Sequence, residues 1–230
     1  MNSFTLDETI NSRAAWGMRI TEPPVVPPTR RIVESVGVEG REGTLTLFKG
    51  WEDITFKLRA ALSGPDIQGR FRDILPVILA ARTIFLSTDP TLFFKIKHAE
   101  AEGLERKLST LYDFQLTFTC GPFRYVRNVA PITMTAAGSV TNPGNVFALP
   151  SIKVYGTGAQ LLTVGGKQTI LNILAGHLTV DSALMECYQG NVAQNNQMMG
   201  PFPVLNPGAT AISWSDGITK IEIEPRWRYL

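Results

Sequence analysis

The chain has 230 residues, 44% of them hydrophobic, and a formal net charge of +2. This apolar fraction is enough to form packed cores, so global disorder is excluded, and the length fits one large domain or two small ones. The near-neutral charge, with no basic cluster longer than Arg30-Arg31, excludes the broad basic surface of a typical nucleic-acid-binding protein. The 20 glycines and 15 prolines favour an all-β chain with many turns.

The first patterned segments are a proline-rich stretch and a series of strands. Residues 21–28 contain two proline pairs, and each proline removes a donor from a strand ladder. We therefore predict an extended arm or an edge segment there. A strand over residues 31–38 follows, and we predict a hairpin between strands at residues 44–48 and 54–60.

One segment departs from the β pattern and predicts a helix over residues 66–80. Its apolar residues are spaced by four, three and four positions, as on one helical face: Ile67, Phe71, Ile74 and Ile78. Asp66 is the predicted N-cap. Pro76 is expected to kink this helix or to restart it as a second short one.

Strands resume after the helix, and two of them are predicted to pair. They cover residues 92–98 and 112–120. In the second strand, large apolar residues alternate with polar ones, which is typical of a half-buried antiparallel strand with one aromatic face.

The composition changes near residue 130, which we interpret as a domain boundary. Residues 131–180 contain no acidic residue, and Lys153 and Lys167 are their only lysines or arginines. We therefore predict two domains, 1–130 and 131–230. The second reads as short strands separated by turns, with Gly165-Gly166 and Asp216-Gly217 as hairpin turns, which argues for a β-sandwich.

No arrangement of residues predicts catalysis, a cofactor or a metal. Cys120 and Cys187 lie far apart and are expected to be buried, reduced thiols. His98 and His177 each lack a neighbour at metal-ligand spacing. The acidic residues that could form a catalytic pair are Asp181, Glu186, Glu222 and Glu224, of which the last two mark the solvent face of a strand. We expect no enzyme activity, no catalytic residue and no metal or cofactor ligand.

Aromatic side chains decide whether sugar binding is plausible, because exposed rings stack on pyranose faces. Trp214 shares a face with Ile212 and is expected in the core. Phe202, between two prolines, and Trp227, between two arginines, are the aromatic residues that we predict to be exposed or to fill an interface.

The N-terminus has neither the positive segment nor the apolar core of a signal peptide. The longest apolar run, residues 74–81, is too short to span a bilayer. We therefore expect the protein to be made and assembled in a cytoplasm, without a membrane partner.

Several blocks, in this order, resemble the distal tail protein family of siphophages. They cover nearly the whole chain: Gly40-Arg-Glu-Gly-Thr-Leu45, the segment of residues 66–80, Leu86-Ser-Thr-Asp-Pro90, Phe114 to Tyr125, Thr141-Asn-Pro-Gly-Asn145, Leu149 to Val154, Leu178-Thr-Val-Asp-Ser182, Gly200 to Gly208 and Pro225-Arg-Trp-Arg228.

This resemblance implies a mainly β fold. It would have an N-terminal β-sandwich with one α-helix and a β-hairpin, followed by a C-terminal galectin-like β-sandwich, and the last residues could pack back on the first domain. It also implies a structural virion protein at the tail tip, assembled in the host cytoplasm. The protein would form a homohexameric ring between the tail-tube protein and a tail-associated, tail-fibre or baseplate protein. The C-terminus of the tape-measure protein would end near its lumen, and no sequence-specific nucleic-acid contact is expected.

A closed ring needs a head-to-tail interface on each subunit. The proline-rich arm and the predicted hairpin are the candidates, and the residues that we select are Pro24, Pro27, Arg41 and Trp51. Both segments could instead simply cover their own sheet. Two other functions stay open at this point. One is a carbohydrate-binding adhesin that recognises the host surface through the second sandwich, and the other is a glycan-cleaving enzyme.

Overall fold

A computed structural model describes residues 3–40, 42–108, 110–174 and 176–230. The chain forms two compact units, residues 1–124 together with residue 230, and residues 125–229. Both units are built mainly of antiparallel strands, which confirms the predicted mainly β class.

The first unit combines strands with two helices. Its strands are β1 (Phe4–Leu6), β2 (Ile10–Asn11), β3 (Arg19–Ile20), β4 (Arg31–Gly37), β5 (Thr44–Trp51), β6 (Ile54–Ser63), β7 (Thr83–Leu86), β8 (Asp89–Ala101), β9 (Glu105–Leu108) and β10 (Leu111–Val126). Its helices are α1 (Ser12–Trp16) and α2 (Ile67–Ala80). The long helix α2 is the predicted one. The five-residue α1, capped by the Asn11 side chain, was not predicted because it is too short to show a periodic pattern.

The main sheet of the first unit has the order β2-β1-β7-β8-β10-β6-β3, with β9 also paired to β10. The predicted pairing of the strands at residues 92–98 and 112–120 is therefore confirmed. Phe118 of β10 lies opposite Phe56 of β6, and both are buried. Phe4 of β1 is three strands from Phe118, about 14 Å on a flat sheet. Their ring centroids are nevertheless only 6.1 Å apart, so the sheet curves around its own core.

Helix α2 lies against this core through one stripe of its surface. The Asp66 carboxylate accepts a hydrogen bond from the Gly69 N–H at 3.2 Å, which confirms the predicted N-cap. The helix continues through Pro76 as one element, so of the two predicted alternatives, a kink or a restart, the restart is wrong. Pro76 is exposed, and water can therefore solvate the carbonyl group that loses its helical partner.

Strands β4 and β5 form a two-stranded sheet of their own, which we call the ribbon (residues 31–51). The predicted hairpin between residues 44–48 and 54–60 is therefore wrong, because β5 pairs with β4. Strand β6 instead pairs with β10 from Ile54 to Ser63, and this ladder buries alternate side chains of both strands.

The second unit is a sandwich of two antiparallel sheets around one core. Its strands are β11 (Ile132–Met134), β12 (Gly138–Asn142), β13 (Ser151–Gly156), β14 (Gly158–Val164), β15 (Lys167–Ile173), β16 (His177–Asp181), β17 (Glu186–Gln189), β18 (Val192–Ala193), β19 (Met198–Met199), β20 (Gly208–Trp214) and β21 (Ile218–Glu224). A last short strand, β22 (Arg228–Tyr229), belongs to neither sheet of the sandwich. A short 3-10 helix covers Asn195–Gln197. One sheet has the order β11-β21-β13-β16-β17-β18 and the other β12-β20-β14-β15-β19.

Of the two hairpin turns predicted for this unit, one is confirmed and the other is wrong. Gly165 and Gly166 join β14 to β15 with φ values of 56° and 79°, which suit glycine in a tight hairpin and confirm that prediction. Asp216-Gly217 lies between β20 and β21, which belong to different sheets, so this hairpin prediction is wrong. The turn carries the chain across the core from one layer to the other.

Candidate functional site

The ribbon is exposed along most of its length. Every residue of β4 is exposed, as are the first six residues of β5. Six of these exposed side chains are large and apolar: Ile32, Val33, Val36, Leu45, Leu47 and Phe48. An isolated two-stranded ribbon is at best marginally stable in water, so this element is expected to be covered by another protein surface.

Cross-strand register divides the ribbon into two apolar faces. On one face Val33 lies opposite Phe48, and we call this the aromatic face. On the other, Val36 lies opposite Leu45, with Leu47 two residues further along β5. We call these three residues the aliphatic face. Both faces carry exposed apolar side chains, so neither serves as a purely polar solvent side.

Trp51 connects the base of the ribbon to the main sheet of the same unit. Its ring lies edge-on to Phe48, with centroids 5.5 Å apart, and edge-on to Phe123 of β10 at 6.4 Å. The Arg31 guanidinium lies 5.4 Å from the centroid of the same indole. Trp51 is therefore half-buried and orients the ribbon, whereas the exposed apolar residues lie further along it.

The proline-rich arm lies along the edge of β6. The Thr21 N–H donates to the Arg59 carbonyl at 3.0 Å, and the Thr29 hydroxyl donates to the Pro122 carbonyl at 2.7 Å. Pro24 is half-buried and Pro27 is exposed. Because proline has no N–H, this arm covers the edge of β6 without offering a new edge for pairing. The fourth residue selected from the sequence, Arg41, lies outside the described residues.

Trp227 is buried in the second unit, so its predicted exposure is wrong. It is 6% exposed and belongs to the core between the two sheets. Its neighbours have partners inside the unit. The Arg226 guanidinium binds Asp181, and Arg228 donates to the Phe147 carbonyl at 2.7 Å.

The other aromatic candidates for sugar binding also face the core. Phe202 and Trp214 are half-buried and pack against the same cluster as Trp227. Trp214 follows the prediction that it contributes to the core. Because both rings pack partly against this cluster, only part of each ring is accessible for stacking on a pyranose.

Two of the titratable side chains considered as site candidates form ion pairs or hydrogen bonds with neighbours. His98 pairs with Glu100 at 3.0 Å on the surface, and Glu222 binds Lys220 and the Tyr155 hydroxyl at 2.8 and 2.9 Å. The hydrogen bond from Lys220, followed by that from Tyr155, holds the pKa of Glu222 below its ordinary value.

Both thiols follow the prediction that they are buried. Burial is the main reason that the pKa of Cys120 is raised to about 12, with the Asp53 charge adding to it, and burial raises the pKa of Cys187 to about 11. Among residues 3–40, 42–108, 110–174 and 176–230, no three His, Cys, Asp or Glu side chains are grouped as a metal site would require. Over the same residues, no helix has the length and apolar character needed to cross a bilayer.

Sequence reasoning selected Trp51 but missed the exposed apolar residues of the ribbon, such as Leu47 and Phe48. Their signal was present as alternating apolar residues in residues 44–48, which we assigned to one arm of the predicted hairpin without deciding which of its side chains are exposed. A strand pattern does not reveal whether its apolar face is covered by the same chain or by another one.

Comparison with solved structures identifies the fold. The Dit protein of phage SPP1, described as a paradigm of the hub of the adsorption apparatus in phages that infect Gram-positive bacteria, superposes with a TM-score of 0.68 at 14% identity. The match covers 100% of both chains. A chain of the phage P2 baseplate, in its activated conformation with calcium, gives a TM-score of 0.52 at 8% identity over 97% of both chains. No protein-family model and no curated protein matches the sequence.

Proposed function

We propose that this chain is a structural subunit of a phage tail tip. Six copies form a ring at the distal end of the tail, and the ring joins the tail tube to the tip or baseplate. The exposed ribbon carries this proposal, because its described residues present exposed apolar side chains on both faces. The chain shares its fold with a phage hub protein over the full length of both chains, and this likeness supports a role in the tail tip.

The ribbon suits a ring because a closed ring requires an interface between two different surfaces of the same subunit. A protruding element on one copy and a receiving surface on the next satisfy this requirement. Of the residues selected from the sequence, Trp51 holds the base of the ribbon and Pro27 lies exposed on the arm. We retain these two in the proposed interface and leave out Pro24, which is half-buried.

The two parts of the chain then take different roles. Residues 1–130 form the ring, and residues 131–230 form a galectin-like sandwich. The partners are the tail-tube protein on one side, a tail-associated, tail-fibre or baseplate protein on the other, and the C-terminus of the tape-measure protein near the lumen. The protein resides in the virion after assembly in the host cytoplasm. This role requires no catalysis, cofactor or sequence-specific DNA contact.

The test is the mass and shape of the purified protein. Light scattering on a sizing column, with negative-stain images of the same peak, is expected to show a particle with a central hole. Six copies of the 25.3 kDa chain give about 152 kDa. A mass of one chain at every soluble concentration would overturn the self-assembling ring.

A pair of matched variants locates the interface. Leu47→Glu places a charge in the aliphatic face of the ribbon and is expected to abolish the ring. Leu184→Glu places the same charge on an exposed leucine of the second unit and is expected to leave the ring intact. A ring that survives Leu47→Glu would show that the aliphatic face of the ribbon is not part of the interface.

A further inference from the structure

The second half of α2 is apolar on all sides. Residues 74–81 contain no charged or polar side chain. Ile74 and Ile78 are buried against the core, but Val77 and Leu79 remain 37% and 47% exposed. A helix that is apolar all round is normally buried all round, whereas one that faces water carries polar residues on its outer side. The single chain therefore leaves one side of this helix uncovered.

We propose that the aliphatic face of the ribbon on one copy packs against this uncovered side of α2 on the next copy of the chain. The receiving surface, which we call the helix patch, consists of Pro76, Val77, Leu79 and Ala80, all exposed. This inference rests on the proposed ring. Beyond the ring itself, the inference identifies the two surfaces that meet at each interface between neighbouring subunits.

The dimensions of the two surfaces are compatible. Seven helical residues, 74 to 80, extend over about 10 Å. Leu45 and Leu47 are two positions apart on a strand, about 7 Å, and Val36 lies beside Leu45 on the neighbouring strand. Glu34 lies opposite Leu47 on the same face and is paired with Lys49 at 2.8 Å, so aliphatic side chains of the two surfaces can interdigitate without burying an unpaired charge.

A second copy of the chain is the occupant that buries both surfaces at once. The ribbon is a flat, protruding element and the helix patch is a ridge, so the two differ in shape and lie on different elements of one unit. Contact between different surfaces is head-to-tail and repeats from copy to copy, which is the geometry that closes into a ring. Contact of ribbon with ribbon would instead give a two-fold dimer and leave every helix patch exposed.

Charges beside the two surfaces favour the same pairing. The groove next to the helix patch is lined by Leu79, Ile96 and the basic residues Arg82 and Lys95. The loop that joins the two strands of the ribbon, residues 38–43, has a net charge of −1 from Glu39, Glu42 and Arg41. Opposite charges at the rim of an apolar contact orient the partners and exclude wrong registers.

The first experiment tests the head-to-tail character of the contact by complementation. Leu47→Glu removes the ribbon surface but leaves the helix patch, and Leu79→Glu does the reverse. Each variant alone is expected to be a monomer of 25.3 kDa with the circular dichroism of the wild type. An equimolar mixture is expected to give a dimer of twice that mass, because one intact ribbon meets one intact patch. If either variant alone still forms the ring, the proposed contact is wrong.

The second experiment locates the contact without disrupting it. Leu47→Cys and Leu79→Cys are placed in separate chains, which are mixed under denaturant, refolded together and oxidised. A disulfide-linked dimer that contains one chain of each kind is expected, because a disulfide requires Cα atoms within about 7 Å. Leu47→Cys with Leu108→Cys is the control pair, since Leu108 is an exposed leucine of β9 outside both surfaces. The native thiols are fully buried and do not compete.

The outcomes separate the inference from the proposed function. A ring whose Leu47→Cys chains cross-link to one another, or to Leu108→Cys chains as well as to Leu79→Cys chains, overturns the proposed contact and leaves the ring standing. A ring that gives no cross-link between Leu47→Cys and Leu79→Cys likewise overturns the proposed contact but not the ring. A wild-type protein that stays monomeric overturns both proposals.

Discussion

The Arg226 guanidinium forms two hydrogen bonds of 2.7 Å with the carboxylate of Asp181, whose side chain is only 1% exposed. The same carboxylate accepts hydrogen bonds from the N–H groups of Ala183 and Leu184, at 3.0 and 3.1 Å. One buried acid therefore holds both the turn between β16 and β17 and the segment after β21. These two segments are 45 positions apart in the chain.

Replacing Asp181 with asparagine keeps an oxygen for the turn but removes the charge that Arg226 requires. Breaking a buried ion pair costs about 3–5 kcal/mol. Since the Arg226 side chain is 28% exposed and can regain water, we expect a loss of about 2–3 kcal/mol in the free energy of unfolding. Hydrogen exchange measured by mass spectrometry is expected to show faster exchange in residues 177–189. Glu186→Gln, the same change at an exposed neighbour, is the control and is expected to leave exchange unchanged; equal effects of the two variants would contradict this account.

The same ion pair predicts how stability depends on pH. Burial alone would raise the pKa of Asp181, but the hydrogen bonds from Arg226, Leu184 and Ala183 outweigh it and lower the pKa. The folded state therefore binds this proton less tightly than the unfolded chain, whose aspartates titrate near about 3.9. The stabilisation is present above that pH and is lost as the pH falls further, through the folded pKa.

The urea midpoints of wild type and Asp181→Asn measure this dependence. They are expected to differ most near neutral pH and to approach each other in acid. A difference that grows as the pH falls would contradict the lowered pKa.

Local patterns predicted the buried face of β10 because they required no knowledge of distant residues. Phe114, Leu116 and Phe118 alternate with polar residues, and all three are buried, as a strand with one wet face requires. Asp66 likewise caps α2 through an N–H only three residues away. In both cases the side chains that decide the structure lie within a few positions of each other.

Local sequence patterns did not predict which strands pair, or whether certain side chains are buried. The turns before β6 and at Asp216-Gly217 are both compatible with hairpins, but β5 pairs with β4, and β20 and β21 belong to separate sheets. Trp227, between two arginines, was predicted to be exposed or to fill an interface, but it is buried in the core of its own unit. The partners of those arginines, Asp181 and Phe147, lie far away along the chain. Long-range contacts of this kind leave no periodic signal in the sequence.

The position of Phe118 in the first core predicts a large loss of stability on truncation. Its ring is fully buried and contacts the rings of Phe4 and Phe56. Phe118→Ala is expected to lower the free energy of unfolding by about 3–5 kcal/mol, measured by urea denaturation. Thr117→Ala, on the opposite face of β10, is the control and is expected to cost less than about 1 kcal/mol. A loss below about 1 kcal/mol for Phe118→Ala would show that the faces of this strand are reversed.

The two cysteines are expected to be unreactive in the folded protein. Both are fully buried, and their raised pKa values keep them protonated at neutral pH, whereas the thiolate is the reactive species. A chromogenic disulfide reagent is expected to label no thiol in the native protein and two thiols per chain in denaturant. Leu184→Cys, at an exposed turn, provides a positive control that reacts in the native state. Rapid labelling of the unmodified native protein would show that one of the two cores opens readily.

The base of the ribbon predicts a variant that loses assembly without losing the core. Trp51 contacts Phe48 on the ribbon and Phe123 on β10, so Trp51→Ala is expected to free the ribbon from its fixed orientation. Ordering a mobile ribbon on binding costs conformational entropy, which weakens the contact between subunits. We therefore expect the fraction of protein in rings at a given concentration to fall at least about tenfold. Light scattering measures that fraction, and far-ultraviolet circular dichroism reports whether the sheets persist. Trp51→Phe retains an aromatic edge-on contact and is expected to restore most of the assembly. If Trp51→Ala assembles as well as the wild type, the orientation of the ribbon does not limit ring formation.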